Sequence, residues 1–244
     1  MVLDIFRRLG GASPSKAVRG HLLAARGDDA RLLVARSGDR ISNPSDAPPW
    51  FVVWPELDSL RPHVWPFRLL EVMELKPIPV QGHTGAYIRA SSIRVVAVLE
   101  PSTLLGEQGD RVARWLDRCL QLTEEELRSL AAGRHADADS VAETVRVRAA
   151  SNPARYRFRD VNNVASAVGN AEFIIASVLF KQIAALKIPD AFEVIDEGEC
   201  LVDPWTSAMD AMCDQALVLG APELMSDDER RVLVQSWVHE GQTS

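Results

Sequence analysis

The spacing of apolar residues changes near residue 100 and divides the chain into two parts. Before that point, apolar residues occur at every second position or in short runs closed by proline or glycine. After it, they recur at intervals of three and four residues. The first pattern is typical of strands and the second of amphipathic helices. Strands confined to one part and helices to the other predict an α+β fold.

The first part is expected to be β-rich with one helix at its start. Val18, Leu22 and Leu23 share one face at helical spacing, which predicts a short helix over residues 14–26. Residues 37–49 are rich in serine, aspartate and proline, and are expected to form a loop. The predicted strands cover residues 31–36, 50–54, 67–75 and 87–100.

The second part predicts a series of helices with clear start signals. Thr123 and Ser226 are each followed three residues later by glutamate, which is the pattern of a capping box. Pro204 is expected at the first position of a helix that Asp203 caps and Gly220 ends. The predicted helices cover residues 110–122, 123–133, 139–150, 161–188, 203–220 and 226–241.

These elements predict a β-rich N-terminal part, with strands within about residues 30–100, packed on a C-terminal helical bundle. Residues 1–106 would form the β-rich module and residues 107–244 the helical region, either as two domains or as one continuous domain. The apolar stretch 173–188 is expected to be a helix central to the core. Lys181 and Gln182 interrupt it, so it falls short of the ~20 apolar residues of a membrane span.

The chain has 244 residues and a net charge of −7, with 23 arginines against 4 lysines. The arginine excess is typical of the coding bias of a GC-rich bacterial genome. An acidic chain repels phosphate backbones at long range, which disfavours general nucleic-acid binding. The cysteines Cys119, Cys200 and Cys213 are odd in number and far apart, so reduced thiols in the cytoplasm are expected rather than disulfides.

Common catalytic and nucleotide-binding motifs are missing from the sequence. It lacks the phosphate-binding loop, the dinucleotide-binding glycine pattern, and the signatures of zinc peptidases and serine hydrolases. The five histidines are scattered, and none pairs with another at ligand spacing on a helix. We therefore expect no metal and no cofactor, and we lean against an enzyme.

The first candidate site is an arginine-rich segment. If the segment is extended, Arg155, Arg157 and Arg159 line one face while Tyr156 and Phe158 line the other. Guanidinium groups suit phosphate or another anion, and the Tyr156 ring suits stacking on a base. The alternative is that the aromatic rings anchor a connecting segment while the arginines face water or pair with internal carboxylates.

The neighbouring Arg146 and Arg148 would enlarge that positive patch. In contrast, residues 187–229 contain twelve acidic residues and a single base, Lys187. Asp196, Glu197 and Glu199 lie close together there in an expected loop and form a candidate surface for a basic partner. The two segments could instead neutralise each other, within one subunit or across a homodimer, and a simple solvated acidic face is the third alternative.

The third candidate is the stretch from Pro48 to Phe67, which contains five prolines. Rigid loops that carry Trp50, Trp54 and Trp65 could build a ligand or peptide pocket, because an indole offers a large apolar area and one N–H donor. The alternative is that these tryptophans fill the core beneath irregular loops.

Two main hypotheses for function follow. The first is a non-catalytic binding or regulatory protein that recognises a protein partner or a second copy of itself, with no role at a membrane. The second is an enzyme that holds a phosphorylated or nucleotide-like substrate with the arginine-rich segment. Nucleic-acid binding through the same arginines is a third hypothesis, which the acidic net charge disfavours.

Overall fold

The computed structural model describes residues 18–44, 48–78, 87–151, 164–195 and 198–238. An antiparallel sheet from the N-terminal part packs on a helical C-terminal part, so the predicted α+β class is confirmed.

The main sheet has five strands, all paired in antiparallel fashion. The two shortest strands both pair with the longest strand, along different parts of its length. In chain order the strands are β1 (Arg19–Ala25), β2 (Arg40–Ser42), β3 (Phe51–Val53), β4 (Phe67–Pro77) and β5 (Ile88–Leu99). The order across the sheet is β1–β4–β5, with β2 and β3 both on β5.

A short helix, α1 (Ala30–Val34), follows β1, and the remaining helices come after the sheet. They are α2 (Gly109–Cys119), α3 (Glu124–Gly133), α4 (Ala138–Ser151), α5 (Val164–Leu186), α6 (Trp205–Gly220) and α7 (Asp227–Val238). Between α5 and α6, the strands β6 (Phe192–Ile195) and β7 (Gly198–Leu201) pair with each other as a separate two-stranded sheet.

The main sheet closes on itself where the chain leaves β3. The His21 N–H donates to the Trp54 carbonyl at 2.7 Å, and the Trp54 N–H donates to the His21 carbonyl at 2.8 Å. We call this junction of β1 and the end of β3 the seam. Side chains that point into the closed sheet form an apolar cluster of their own: Leu22, Ala24, Leu32, Ala35, Ile41, Phe51, Val53, Leu70, Val72, Ala90, Ile93 and Val95.

Strand β4 contributes side chains to two hydrophobic clusters. Leu70 and Val72 fill the interior of the closed sheet. Phe67 and Leu69 belong to the larger cluster that the helices form. A change of register between Glu71 and Val72 lies within the strand. Through β4, the β-rich part packs directly on the helical part, as the sequence predicts.

Helix α5 is the central helix of the larger cluster. Ile174, Ile175, Leu179 and Ile183 are fully buried on it. Its portion from Ala167 to Leu186 is long and apolar enough to cross a membrane, but half of that portion is buried inside the protein. Such burial is that of a core helix.

Both predicted capping boxes are present. The Thr123 hydroxyl accepts from the Glu126 N–H at 3.2 Å, and the Glu126 carboxylate accepts from the Thr123 N–H at 2.6 Å. The Ser226 hydroxyl accepts from the Glu229 N–H at 3.3 Å, and the Glu229 carboxylate accepts from the Ser226 N–H at 2.8 Å. These bonds satisfy N–H groups that a helix start leaves without partners, and so fix where α3 and α7 begin.

Two predictions for the first forty residues are wrong. Residues 19–25 of the expected helix 14–26 form strand β1, because Gly20, Leu22 and Ala24 turn to one face and pair with β4. Residues 14–17 lie outside the described ranges. The expected strand 31–36 is mostly helix α1, whose N-terminus is capped by the Asp29 carboxylate as it accepts from the Arg31 N–H at 2.9 Å.

Two predicted loops contain strands. The loop expected over residues 37–49 includes β2, which Ile41 anchors in the interior of the closed sheet. Of the acidic residues expected in a loop, Glu199 lies on β7 opposite Val194, and Asp196 and Glu197 lie outside the described residues. Both segments are short and polar, so pairing with a neighbouring strand overrides their local composition.

Gly20 is required by the close approach of β1 to β3 at the seam. A β-carbon added at Gly20 would lie 2.6 Å from the Trp54 carbonyl oxygen and 2.8 Å from a Val53 methyl carbon. Backbone cannot yield as a flexible side chain does, so Gly20→Ala should lower the free energy of unfolding by about 1–3 kcal/mol in urea titrations.

Gly169→Ala on α5 is the matched control, because a β-carbon there meets nothing within 4 Å. Higher helix propensity should stabilise this variant by up to about 1 kcal/mol. Equal stability of the Gly20→Ala variant and the unaltered protein would show that β1 and β3 are not held together at Gly20.

Candidate functional site

A cleft of about 660 Å³ opens beside the seam. Its walls come from the end of β1, the turn that follows, β3 with its flanking residues, and residues 60–64. Its volume is in the range of small-ligand and peptide sites, about 300–1,000 Å³. The apolar lining includes Leu22, Leu23, Trp50, Phe51, Val52, Trp54, Leu60, Pro62 and Phe67, and the polar lining includes Arg26, Asp28, Asp29, Asn43, Arg61 and His63.

The alternation of side chains along β3 places the two indoles at the cleft. Phe51 and Val53 point into the closed sheet and are buried there, and Phe51 also borders the cleft. The intervening residues Trp50, Val52 and Trp54 therefore point to the outer face. Each of these three is only partly buried. The run of five apolar residues thus serves two surfaces, a buried interior and the floor of the cleft.

Residues at the start of β5 hold both indoles in place. The Arg89 guanidinium lies over the Trp50 ring, with its central carbon 4.8 Å from the ring centroid. The Tyr87 and Trp54 ring centroids are 5.1 Å apart. Arg89 also donates to the Tyr87 hydroxyl at 3.3 Å. These contacts link the two indoles through a single network, so they present a preorganised apolar surface.

Arg31 lies next to the cleft and holds two residues of its polar rim, Asp29 and Asn43. Its guanidinium pairs with the Asp29 carboxylate at 2.5 Å and donates to Asn43 Oδ1 at 3.1 Å. The Arg31 hydrogen bond lowers the pKa of Asp29 below its usual range. The Asn43 amide also donates to the Pro49 carbonyl at 2.5 Å. This network fixes the segment that carries Trp50 against the turn after β1.

The remaining rim carries a positive excess. Asp28 Oδ2 accepts from the Ala25 N–H at 2.7 Å, and Arg61 donates to the Leu60 carbonyl at 2.9 Å. Within the described part of the chain, the exposed side chains of Arg26 and His63 have no ion-pair partner. Two arginines, Arg26 and Arg61, and two aspartates, Asp28 and Asp29, line the cleft. Because Arg31 next to the lining already offsets Asp29, the two arginines outnumber the remaining carboxylate, although the whole chain is acidic.

Few side chains of the described lining could take part in covalent chemistry. It contains no serine, threonine, cysteine, lysine or tyrosine side chain, and Asp28, Asp29 and His63 are its members that could act as a nucleophile or a base. In addition, no group of three or more His, Cys, Asp or Glu side chains in the described ranges is placed to hold a metal ion.

Comparison with family models, with curated proteins and with solved structures finds no match for this chain. Its function must therefore be argued from the cleft itself.

The structure separates the three tryptophans of the predicted pocket. Trp50 and Trp54 line the cleft, whereas Trp65 lies outside its lining. The Trp65 Nε1–H donates to the Asp117 carboxylate at 2.9 Å, and its ring meets the Phe67 ring edge-on at a centroid distance of 5.5 Å. Trp65 thus connects the β-rich part to α2 instead of contributing to the cleft.

The arginine-rich segment, with Arg155, Tyr156, Arg157 and Arg159, lies outside the described residues. The two arginines that would extend it are paired within the chain. The Arg146 guanidinium pairs with Glu172 at 2.8 Å, and that of Arg148 pairs with Glu229 at 2.8 Å. These contacts remove both from the expected patch.

The acidic segment is described only in part. Asp196 and Glu197 lie outside the described residues, and Glu199 is exposed on β7. Glu229 is engaged internally, since the hydrogen bond from Arg148 lowers the pKa of Glu229 to about 2. At least one carboxylate of this segment therefore neutralises an arginine of the same subunit.

A second polar cluster lies inside the helical part. Its centre is Arg134, which pairs with Asp214 at 2.9 Å, Asp139 at 2.7 Å and Asp210 at 3.4 Å. The Asp214 side chain is 1% exposed, and its Oδ1 has no hydrogen-bond partner among the described residues. Burial raises the pKa of Asp214 to about 6, although the hydrogen bond and charge of Arg134 oppose the rise. This cluster joins the end of α3 to α4 and α6.

Sequence reasoning missed the β1 side of the cleft. The apolar spacing over residues 14–26 places Leu23 on a helix, and Arg26 and His63 stand in no recognisable motif. The alternation of Gly20, Leu22 and Ala24 is the pattern that could have predicted strand β1. A glycine within a strand is typical of a position where another backbone comes close.

Proposed function

We propose that this protein is a non-catalytic binding protein that recognises a segment of a protein partner in the cleft beside the seam. The observation that carries the proposal is the cleft itself, whose floor is formed by Trp50 and Trp54, with Arg89 and Tyr87 holding both indoles. Rigid indoles provide large contact areas with little loss of side-chain entropy on binding, and tryptophan is enriched among residues that dominate binding energy.

The composition of the walls supports a peptide as the ligand. Apolar and aromatic groups form the floor, and arginines stand at the rim. A peptide segment with apolar side chains and an acidic residue complements these two properties. The arginine-rich segment remains a prediction for phosphate or nucleic-acid binding, and no described contact favours it as a second function.

A cytoplasmic location is part of the proposal. Cys119, Cys200 and Cys213 are free thiols. Burial raises the pKa of Cys119 and of Cys213 above the usual range of a thiol, which keeps these two groups protonated. Unpaired thiols are typical of proteins in a reducing compartment.

A random dodecapeptide library displayed on phage provides a direct test. We expect immobilised protein to enrich peptides whose affinity falls by about 30-fold in the Trp50→Ala variant, the effect of removing a dominant contact residue. Fluorescence polarisation with the synthesised peptides measures the change. Charge reversal by Arg26→Glu, at an exposed site that folding tolerates, provides a second variant and should weaken acidic peptides.

Trp65→Ala is the matched control, since it removes an indole from the same proline-rich stretch but outside the cleft. It should leave peptide affinity within about twofold of the unaltered protein. Peptides that bind the Trp50→Ala and Arg26→Glu variants as tightly as the unaltered protein would place the binding site elsewhere. Failure to enrich any peptide would also contradict the proposal.

A further inference from the structure

The seam is held by a single residue pair. His21 and Trp54 exchange two backbone hydrogen bonds, and this pairing is an isolated bridge. The described residues that follow His21 toward Ala25, and those that precede Trp54 toward Trp50, form no further backbone pairs between β1 and β3. Leu23 and Val52, which would form the next pair, both line the cleft instead.

The direction of the backbone groups follows from the pattern of the sheet. In a strand, successive residues turn their N–H and C=O groups to opposite edges. The groups of His21 face β3, so those of Leu23 face the same way. The groups of Trp54 face β1, so those of Val52 do as well. The other edge of β1 is paired with β4, and the other edge of β3 with β5.

Leu23 and Val52 therefore direct backbone donors and acceptors into the cleft. No side-chain hydrogen bond from the described residues reaches these groups. The opening is short, because the turn after β1 occupies the next backbone groups. Asp28 accepts from the Ala25 N–H through its carboxylate and donates its own N–H to the Ala25 carbonyl at 3.0 Å.

An open strand edge in an apolar cleft is a template for an added strand. Known peptide-binding proteins use such edges, where main-chain hydrogen bonds give affinity and pockets for alternate side chains give specificity. Here the pockets would be formed by Trp50, Trp54 and Leu60, and the rim would carry Arg26. The charge excess at the rim favours an acidic residue in the occupant.

We propose that the occupant is an extended peptide segment of a partner protein that pairs through its backbone with Leu23 and Val52 as an added strand at the seam. Its apolar residues occupy alternate positions and pack on Trp50 and Trp54, and an acidic residue meets Arg26. This inference rests on the function proposed above, and specifies the conformation and composition of the bound segment.

N-methylation of the peptide backbone tests the conformation. A peptide selected in the library experiment is synthesised in versions that each carry one N-methyl amide, which removes a donor and leaves the side chain unchanged. For an added strand, affinity should fall about tenfold at every second interior position and by less than about threefold at the positions between. Fluorescence polarisation provides the measurement.

Amide hydrogen exchange tests the protein side of the same contact. In the free protein, the amides of Leu23 and Val52 should exchange rapidly, and a saturating selected peptide should slow both about tenfold or more. Leu22 and Val53 are the matched controls, because their N–H groups face β4 and β5 and should be slow with and without peptide.

The outcomes separate the two proposals. If a peptide requires Trp50 but shows no alternating effect of N-methylation and leaves Leu23 and Val52 unchanged, the added strand is wrong and the binding function stands. If the amides of Leu23 and Val52 exchange slowly in the free protein, the seam is already closed and the added strand is wrong. If no peptide depends on the cleft, both proposals fail.

Discussion

Replacing Arg134 with methionine is expected to lower the free energy of unfolding by about 3–5 kcal/mol. The Arg134 side chain is only 12% exposed and carries the hydrogen bond to the buried Asp214 carboxylate. Methionine fills a similar volume without charge, so the variant leaves that carboxylate in a low-dielectric environment without its counter-charge. Urea denaturation followed by circular dichroism at pH 7 measures the loss.

The control for this prediction is Arg231→Met. Arg231 also pairs with an aspartate, Asp228, but both side chains lie at the surface, 77% and 82% exposed. An exposed pair of this kind contributes little, so the control should change stability by about 0.5 kcal/mol or less. Similar losses in the two variants would mean that burial does not set the strength of the Arg134–Asp214 contact.

The second large effect is a dependence of stability on pH that comes from Asp214. The pKa of Asp214 is about 6 in the folded protein, whereas the ordinary value for an aspartate is 3.8. Below pH 4 the Asp214 carboxyl group is protonated in both the folded and the unfolded chain, so its burial does not require a charge to leave water. As the pH rises through 6, the unfolded chain loses the proton more readily than the folded chain, so stability falls. The contribution lost is about 3 kcal/mol.

Asp214→Asn isolates this contribution from the other titrating groups. Between pH 4 and pH 7, the unaltered protein should lose about 3 kcal/mol of stability relative to this variant, measured by parallel urea titrations. Asp139→Asn removes a 79% exposed carboxylate from the same guanidinium and should change by less than about 1 kcal/mol over the same range. A constant difference between the unaltered protein and Asp214→Asn across this range would contradict the prediction.

Fold class could be predicted from the sequence where local signals and tertiary packing agree. Strand β4 is bracketed by prolines and strand β5 alternates clearly, and both were predicted with nearly correct bounds. The two capping boxes placed the starts of α3 and α7, because the side chains that identify them make the bonds that begin the helix.

The errors occur where a distant partner decides the conformation. Residues 19–25 have an acceptable helical pattern in isolation, and only the register with β4 shows that Leu22 and Ala24 belong to one buried face. Strand β7, which contains Glu199, is similar, since this short segment becomes a strand only through its pairing with β6. Such contacts are not encoded within a short window of sequence.

The cleft could be predicted in part. The concentration of tryptophan and proline indicated the right stretch, and Trp50 and Trp54 do line the cleft. The sequence could not show that Trp65 lies outside the cleft, since all three indoles have similar neighbours along the chain. What separates them is the alternation of β3 and the seam between β1 and β3, which bring together residues some thirty positions apart.

Strand β4 has a consequence for any attempt to divide this protein. One of its faces is a wall of the closed sheet, and the other supports the helices through Phe67 and Leu69. A fragment that ends near residue 106 would expose that second face to water, and a fragment of the helices alone would lose the surface on which they rest. Each part therefore covers apolar side chains of the other, and we expect a fragment of either part to be less stable than the whole chain.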